Sequence, residues 1–150
     1  MMKNLIVIGM IMFTGMVAAQ NTAVRIIPQP VEVKAGTGNF VLTPAAVISY
    51  DNAAAKDVAV MLAGKLAVPT GFTFKPVQGK TGTIRLNLNA TPDAKLGNEG
   101  YTLVSTTKNV VITANQPAGL FYGAQTLFQL LPAAIESPSV VKAEWKVPVV

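Results

Sequence analysis

The segment EGYTLVSTTKNVVITANQPAGLFYGAQTLFQLL, residues 99–131, places two predicted strands and one predicted helix next to each other with little chain between them. In Tyr101–Ser105 successive side chains point to opposite sides of an extended chain, which fits a strand buried on at least one face. Lys108 and Asn109 supply a polar turn, and the β-branched run Val110–Ile112 then pairs back as a hairpin or lies as a neighbouring strand. We expect the centre of the fold here.

The second half of this segment predicts an amphipathic helix with recognisable ends. Asn115 can accept hydrogen bonds from first-turn amides, Pro117 suits the first helical position, and Pro132 marks the end. Gly119 and Gly123 lie four residues apart on one side, and we expect them to let the helix approach a sheet or another helix closely. The apolar side chains that recur at spacings of three and four are Leu120, Ala124, Leu127, Phe128 and Leu131.

The rest of the chain predicts an α+β domain over residues 20–135. Asp51 or Asn52 can cap a helix over Ala53–Val68, which we expect to stop before Pro69. A mixed β-sheet with two main helices packed on one face is the predicted architecture. The other predicted strands are a hairpin of Val31–Lys34 with Asn39–Leu42, then Val47–Tyr50, a strand led into by Phe72 and Phe74, and Thr83–Leu88, with residues 136–150 as a linker.

The first 19 residues have the layout of a secretory signal peptide. Lys3 is followed by an apolar run over residues 5–13 and small residues at 17–19, so we expect cleavage after Ala19. The apolar run is shorter than the ~20 residues of a transmembrane helix, although a retained membrane anchor is the alternative. We expect a protein exported to the periplasm, the extracellular space or the cell surface, with no membrane contact after removal of the signal.

Composition excludes several classes of function. The 150 residues contain no cysteine and no histidine, which removes disulfides, thiol chemistry, serine–histidine and cysteine–histidine pairs and the HExxH zinc helix. The formal charge of +5 is dispersed, so no basic run predicts nucleic-acid binding. The 7 acidic residues are neither adjacent nor on neighbouring helical turns, although two could meet in space as a glycosidase requires.

Three remaining features have ordinary structural explanations beside the functional ones. Gly79 and Gly82 flank Lys80 without Walker or dinucleotide spacing, so turn chemistry accounts for them. Asn89 begins a glycosylation sequon that carries no information in a bacterial host. Trp145 either stacks on a sugar ring or has a packing or interdomain role, which the sequence favours. We predict no catalytic, cofactor-binding or metal-binding residue in this chain.

The pairing of EGYTLVSTTKNVVITA with GLFYGAQTLFQLL, preceded by IIPQPVEVKAGTGNFVLT, closely resembles the N-terminal non-catalytic domain of family-20 glycoside hydrolases, the exported β-N-acetylhexosaminidases. The resemblance implies a zincin-like α+β accessory domain without a metal site and without a cofactor. It also implies that residues 136–150 lead into a (β/α)₈ catalytic barrel, which is the expected partner of this domain.

The same resemblance implies hydrolysis of terminal β-linked N-acetylhexosamines, with retention and with the substrate's acetamido group as nucleophile. The family's adjacent aspartate and glutamate are absent from this chain, which has no Asp-Glu dipeptide. We therefore expect the segment alone to be inactive, to reach glycans only through the barrel, and to expose an apolar patch where the barrel belongs. The alternative is an independent secreted carbohydrate-binding or surface module.

Overall fold

The structure is a computed structural model that describes residues 25–150. The predicted signal peptide at residues 1–19 lies outside the described residues. Two helices, α1 (Lys56–Thr70) and α2 (Pro117–Leu130), accompany seven strands and the 3-10 turns Ala53–Ala55 and Ala133–Glu136. The strands are β1 (Asn39–Val41), β2 (Ile48–Tyr50), β3 (Val77–Gln78), β4 (Ile84–Leu88), β5 (Tyr101–Ser105), β6 (Val110–Ala114) and β7 (Lys146–Pro148).

The main sheet has the strand order β3-β2-β4-β6-β5. The first four of these strands are parallel, and β5 pairs antiparallel with β6 as the hairpin that the sequence predicts. Strands β1 and β7 form a separate antiparallel pair. Hydrogen bonds join β7 and the residues after it to the main sheet at β5. Ser105 Oγ donates to the Pro148 carbonyl in β7, and beyond the strand the Ser105 N–H donates to the Val150 carbonyl and the Val150 N–H donates to Ser105 Oγ, both at 3.0 Å.

Both helices lie on one face of the sheet. Helix α2 contacts β4, β5 and β6, while α1 contacts β2 and α2. The strand registers align Ile84 with Val110 and Leu86 with Ile112, and these four side chains are buried in the core below the helices. The predicted α+β class, with a mixed sheet and two helices on one face, is confirmed. No helix within residues 25–150 combines the length and apolarity that a bilayer span requires.

Close contact between α2 and the sheet depends on two glycines. A Cβ atom on Gly123 would overlap Ile112 Cγ2, and one on Gly119 would overlap the Gly100 carbonyl oxygen and lie 2.8 Å from the Cβ of Ala114. The predicted close approach of the helix is therefore observed at both positions. The helix approaches the strands and the loop before β5.

The ends of α1 agree only in part with the prediction. Asn52 accepts a bond from the Ala54 N–H at 2.9 Å and caps the turn before the helix, whereas Asp51 accepts from the Leu88 N–H at 3.0 Å. The prediction that the helix stops before Pro69 is wrong, because α1 continues to Thr70 and ends at a left-handed Gly71 with φ 69°. The Gly71 N–H bonds to the Ala67 carbonyl and closes the last turn, so the glycine and not the proline marks the end of the helix.

The predicted cap of α2 is also wrong. The helix begins at Pro117 as expected, but Gln116 is the N-cap and makes no side-chain capping bond. Asn115, the expected cap, is buried and uses its side-chain amide to hold the loop between β4 and β5. Pro132 follows the end of α2 as the sequence predicts.

The predicted N-terminal hairpin does not form. Residues 31–34 are exposed and have no strand partner, and β1 pairs instead with β7 near the C-terminal end of the chain. The alternation in 31–34 places Glu32 and Lys34 on one side, where they form an exposed ion pair at 2.8 Å. Within the predicted linker 136–150, strand β7 carries the buried Val147 against β1, and Trp145 is buried beside it.

Candidate functional site

The structure shows no cluster of metal-ligating side chains within residues 25–150. No three of the residue types that ligate metals come together in that range. Gly82, in the turn after Lys80, is placed for packing, because a Cβ there would lie 2.7 Å from the Val47 carbonyl oxygen, and its N–H donates to Ser49 Oγ at 3.0 Å. Close packing against the sheet therefore explains the glycine in this turn.

Carboxylates in the chain are spread over separate structural roles. Asp51 and Asp93 accept backbone bonds, from the Leu88 N–H at 3.0 Å and the Lys95 N–H at 2.9 Å, and Asp57 lies in the first turn of α1, where negative charge is favourable. Three others form ion pairs with lysines: Glu32 with Lys34 (2.8 Å), Glu136 with Lys65 (3.2 Å) and Glu144 with Lys146 (2.6 Å).

Two of these ion pairs perturb the titration of their carboxyl groups. A side-chain hydrogen bond from Lys34, and then its charge, hold the pKa of Glu32 below its ordinary value, and Lys146 does the same to the pKa of Glu144. Both carboxylates are fully exposed, so these shifts describe surface pairs and not an acid or base prepared for catalysis.

Trp145 is part of the core. Its side chain is only 3% exposed, and its carbonyl accepts a bond from the Leu42 N–H at 2.8 Å. The ring has no free face for a sugar, so the packing role is the correct alternative.

The buried side-chain amide of Asn115 organises the loop between β4 and β5. Its oxygen accepts from Asn89 Nδ2 at 2.9 Å and from the Asp93 N–H at 2.8 Å, while its nitrogen donates to the carbonyls of Asp93 and Gly97 at 2.7 and 2.8 Å. The nitrogen of the sequon residue Asn89 is therefore engaged inside the fold. The sequence pattern assigns Asn115 to the adjacent helix, and no local signal marks its contacts across the loop.

Exposed aromatic surface is concentrated on the outer side of α2. Phe121 and Tyr122 are 42% and 44% exposed and touch each other edge to face, with ring planes 73° apart. On α1 the exposed apolar residues are Val60 and Val68, and Val60 borders, with Phe72, a shallow notch of about 310 Å³. The two helices α1 and α2 together form a layer, which we call the helix layer. This layer presents apolar side chains to solvent on both helices.

The uncovered face of the sheet has a different character. The strand registers place Arg85 beside Val111 and Asn87 beside Thr113 on this face, and Arg85 Nε is buried without a hydrogen-bond partner among the described residues. Val104 is 50% exposed on the same face. This surface is a mixture of polar and β-branched side chains and carries no aromatic ring in the paired strands.

A groove of about 400 Å³ runs beside α2, and we call it the α2 groove. One wall is the segment around Ile27, which Gln129 holds with two 2.8 Å bonds between its side-chain amide and the Ile27 backbone. The Tyr101 hydroxyl is bonded to the Thr126 hydroxyl in the groove lining. The residues that line the groove include Ile27, Glu99, Tyr101, Tyr122, Gln125 and Gln129.

These observations define an α+β domain whose distinguishing surfaces are an apolar helix layer and a groove beside it. A sequence model of glycosyl hydrolase family 20, domain 2, matches residues 23–150, and the chain belongs to this family. The predicted resemblance to the N-terminal domain of these enzymes is confirmed.

Individual relatives agree with the family assignment. The chain is 30% identical over 126 residues to a beta-hexosaminidase of Porphyromonas gingivalis, covering 83% of this chain and 16% of the relative. It is also similar to the N-acetyl-beta-hexosaminidase structure from Streptomyces plicatus, at 38% identity and a TM-score of 0.77, and to the GH20 beta-N-acetylhexosaminidase structure from Streptomyces coelicolor A3(2), at 40% identity and a TM-score of 0.76. Each Streptomyces match covers 84% of this chain and 25% of the solved chain.

Proposed function

We propose that this chain is the N-terminal accessory domain of an exported β-N-acetylhexosaminidase. The parent enzyme hydrolyses terminal β-linked N-acetylhexosamines with retention, using the substrate's acetamido group as nucleophile. This proposal is supported by the matches to beta-hexosaminidases. This chain spans 16% of the length of the Porphyromonas gingivalis relative and 25% of the length of each Streptomyces chain. Export is supported by the signal-like layout of residues 1–19.

The domain itself is structural and does not catalyse. Substrate-assisted hydrolysis needs an acid and a group that orients the acetamide, and the family's Asp-Glu pair does not occur in the 150 residues. A separate (β/α)₈ barrel of the same parent protein supplies both groups, and glycan reaches the enzyme through that barrel.

The helix layer is the surface that covers the barrel. The observation that carries this step is the exposure of the adjacent rings of Phe121 and Tyr122, because aromatic side chains are enriched at interfaces and exposed apolar patches mark them. The rings lie edge to face and form no flat platform for a polysaccharide, so the geometry supports docking over an independent carbohydrate-binding module.

An activity assay tests the catalytic part of the proposal. The purified chain is incubated with a chromogenic β-N-acetylglucosaminide, and we expect no release of the leaving group above a buffer control. Turnover that persists after removal of contaminating hexosaminidases would contradict the structural role.

Dye binding tests the position of the docking surface. Phe121→Ser should reduce the fluorescence of a hydrophobic dye bound to this chain, whereas Val104→Ser, a similarly exposed position on the uncovered sheet face, should leave it unchanged. Equal effects of the two substitutions would place the apolar surface elsewhere. Far-UV circular dichroism confirms that both variants remain folded.

A further inference from the structure

Glu99 is the one acidic residue for which the described part of the chain provides no structural role. The other six carboxylates form ion pairs, accept backbone bonds or lie in the first turn of a helix, whereas Glu99 has no ion pair or side-chain hydrogen bond to any of residues 25–150. Glu99 instead lines the α2 groove. Glu99 is exposed, so its carboxylate is hydrated and free to pair with a cation that a partner brings.

The walls of the groove are fixed before anything enters it. Gln129 is locked onto the backbone of Ile27, and the Tyr101 hydroxyl is satisfied by Thr126. Gly100, the residue after Glu99, packs its backbone directly against Gly119 of α2. An occupant therefore meets a formed surface and orders little of the protein on binding.

The unpaired side chains in this groove all favour the same kind of ligand. Besides Glu99, Tyr122 offers an exposed ring, and the side-chain amide of Gln125, three residues further along the helix, makes no bond to a described residue. Among residues 25–150, no basic side chain lines the groove. A carboxylate, an aromatic face and an amide oxygen match a planar guanidinium, which donates several hydrogen bonds and stacks on rings, better than they match a compact ammonium.

We propose that the α2 groove receives an arginine side chain from the domain that covers the helix layer, with Glu99 as its ion-pair partner and Tyr122 as its stacking surface. The identity of the donor rests on the proposed function. The groove lies beside Phe121 on the same helix, so the arginine forms the polar part of an interface whose apolar part is the helix layer. Arginine and tyrosine are among the residue types that dominate binding energy at such contacts.

The test is a nuclear magnetic resonance titration of the ¹⁵N-labelled 150-residue chain with N-acetyl-arginine amide. We expect saturable shifts at the Gly100 and Tyr122 amides, with a dissociation constant in the millimolar range typical of so small a probe. The neutral isostere N-acetyl-citrulline amide should bind more weakly. Glu99→Gln should weaken arginine binding about two- to fivefold, because it removes the charge of an exposed carboxylate and keeps its shape.

Two variants and one competing probe make the result decisive. Tyr122→Ala should weaken binding, and Val104→Ser, on the uncovered face of the sheet and outside the groove lining, should not; the dispersion of the amide spectrum checks that each variant is folded. Equal binding of the citrulline probe, no effect of Glu99→Gln, or shifts with N-acetylglucosamine in place of arginine would overturn the proposal. The titration uses only this chain and tests only the arginine site. If it fails, the docking surface is still tested independently by the dye-binding comparison.

Discussion

Replacing Gly119 by alanine is the sharpest test of how α2 is seated. The new Cβ would overlap the Gly100 carbonyl oxygen and lie 2.8 Å from the Ala114 Cβ and 3.3 Å from the Glu99 carbonyl oxygen. Backbone atoms cannot rotate away as a side-chain end can, and the Gly100 N–H is bonded to the Leu96 carbonyl at 2.8 Å. The helix and the loop before β5 must therefore separate.

The magnitude follows from two opposing effects. Overpacking a close contact costs about 1–3 kcal/mol, and we place this backbone collision at the upper end of that range. Alanine recovers at most about 1 kcal/mol of helix propensity relative to glycine. We expect Gly119→Ala to lower the free energy of unfolding by about 2 kcal/mol, which for a domain of this size is a fall in Tm of roughly 6–10 °C.

Gly64→Ala is the matched control. Gly64 lies inside α1, and an added Cβ there has no heavy atom within 4 Å. Only the effect of helix propensity remains, so the free energy of unfolding of this variant should rise by about 1 kcal/mol. Urea unfolding followed by the fluorescence of Trp145, the sole tryptophan, measures both. If Gly119→Ala were stabilised as much as Gly64→Ala, the close seating of α2 on the loop would be refuted.

Three further outcomes follow from named contacts. Gly123→Ala should cost about 1–2 kcal/mol in the same urea assay, since the Cβ meets the buried Ile112 side chain; an unchanged unfolding midpoint would contradict this. Asn115→Ala should cost about 2–3 kcal/mol and speed amide exchange over residues 93–97, because four hydrogen bonds are lost; unchanged exchange there would show that other contacts hold the loop. In a pH titration by nuclear magnetic resonance, the pKa of Glu144 should lie below its ordinary value and return towards it in Lys146→Ala. The small stabilisation from this pair is present above the unfolded pKa and is lost as pH falls through the depressed folded pKa; identical titration midpoints would count against the pairing.

Sequence patterns predict the elements whose partners are close along the chain. Strands β5 and β6 are joined by a short turn, and α2 begins three residues after β6, so alternation and the three-and-four spacing are sufficient. The alternation in 31–34 is as clear, yet those residues stay exposed. Strand β1 is paired with β7 near the other end of the chain, and no local pattern distinguishes that partner from the nearby one.

Asn115 shows the same limit for a single side chain. Two residues before Pro117, an asparagine fits the pattern of a helix cap, and local chemistry supports that interpretation. Its four hydrogen bonds go instead to Asn89, Asp93 and Gly97, which come 18 to 26 residues earlier in the chain. A buried amide has two donors and two acceptor sites, and the loop satisfies all four where a helix terminus would use fewer. The number of partners therefore favours the distant contact over the local one.

Catalytic and docking sites differ in how far composition reveals them. A hydrolytic site needs particular residue types in fixed relation, so the missing histidine, cysteine and Asp-Glu dipeptide are informative from the amino-acid sequence alone. The arginine site proposed in the α2 groove uses a glutamate, a tyrosine and a glutamine, which occur on any protein surface, and the groove lining comes from the segment around Ile27, the loop before β5 and α2. Glu99 is distinguished only because the structure assigns each of the other carboxylates a role. The interface of an accessory domain is therefore a property of the assembled surface, and the residues that carry it cannot be separated from ordinary ones until the fold brings them together.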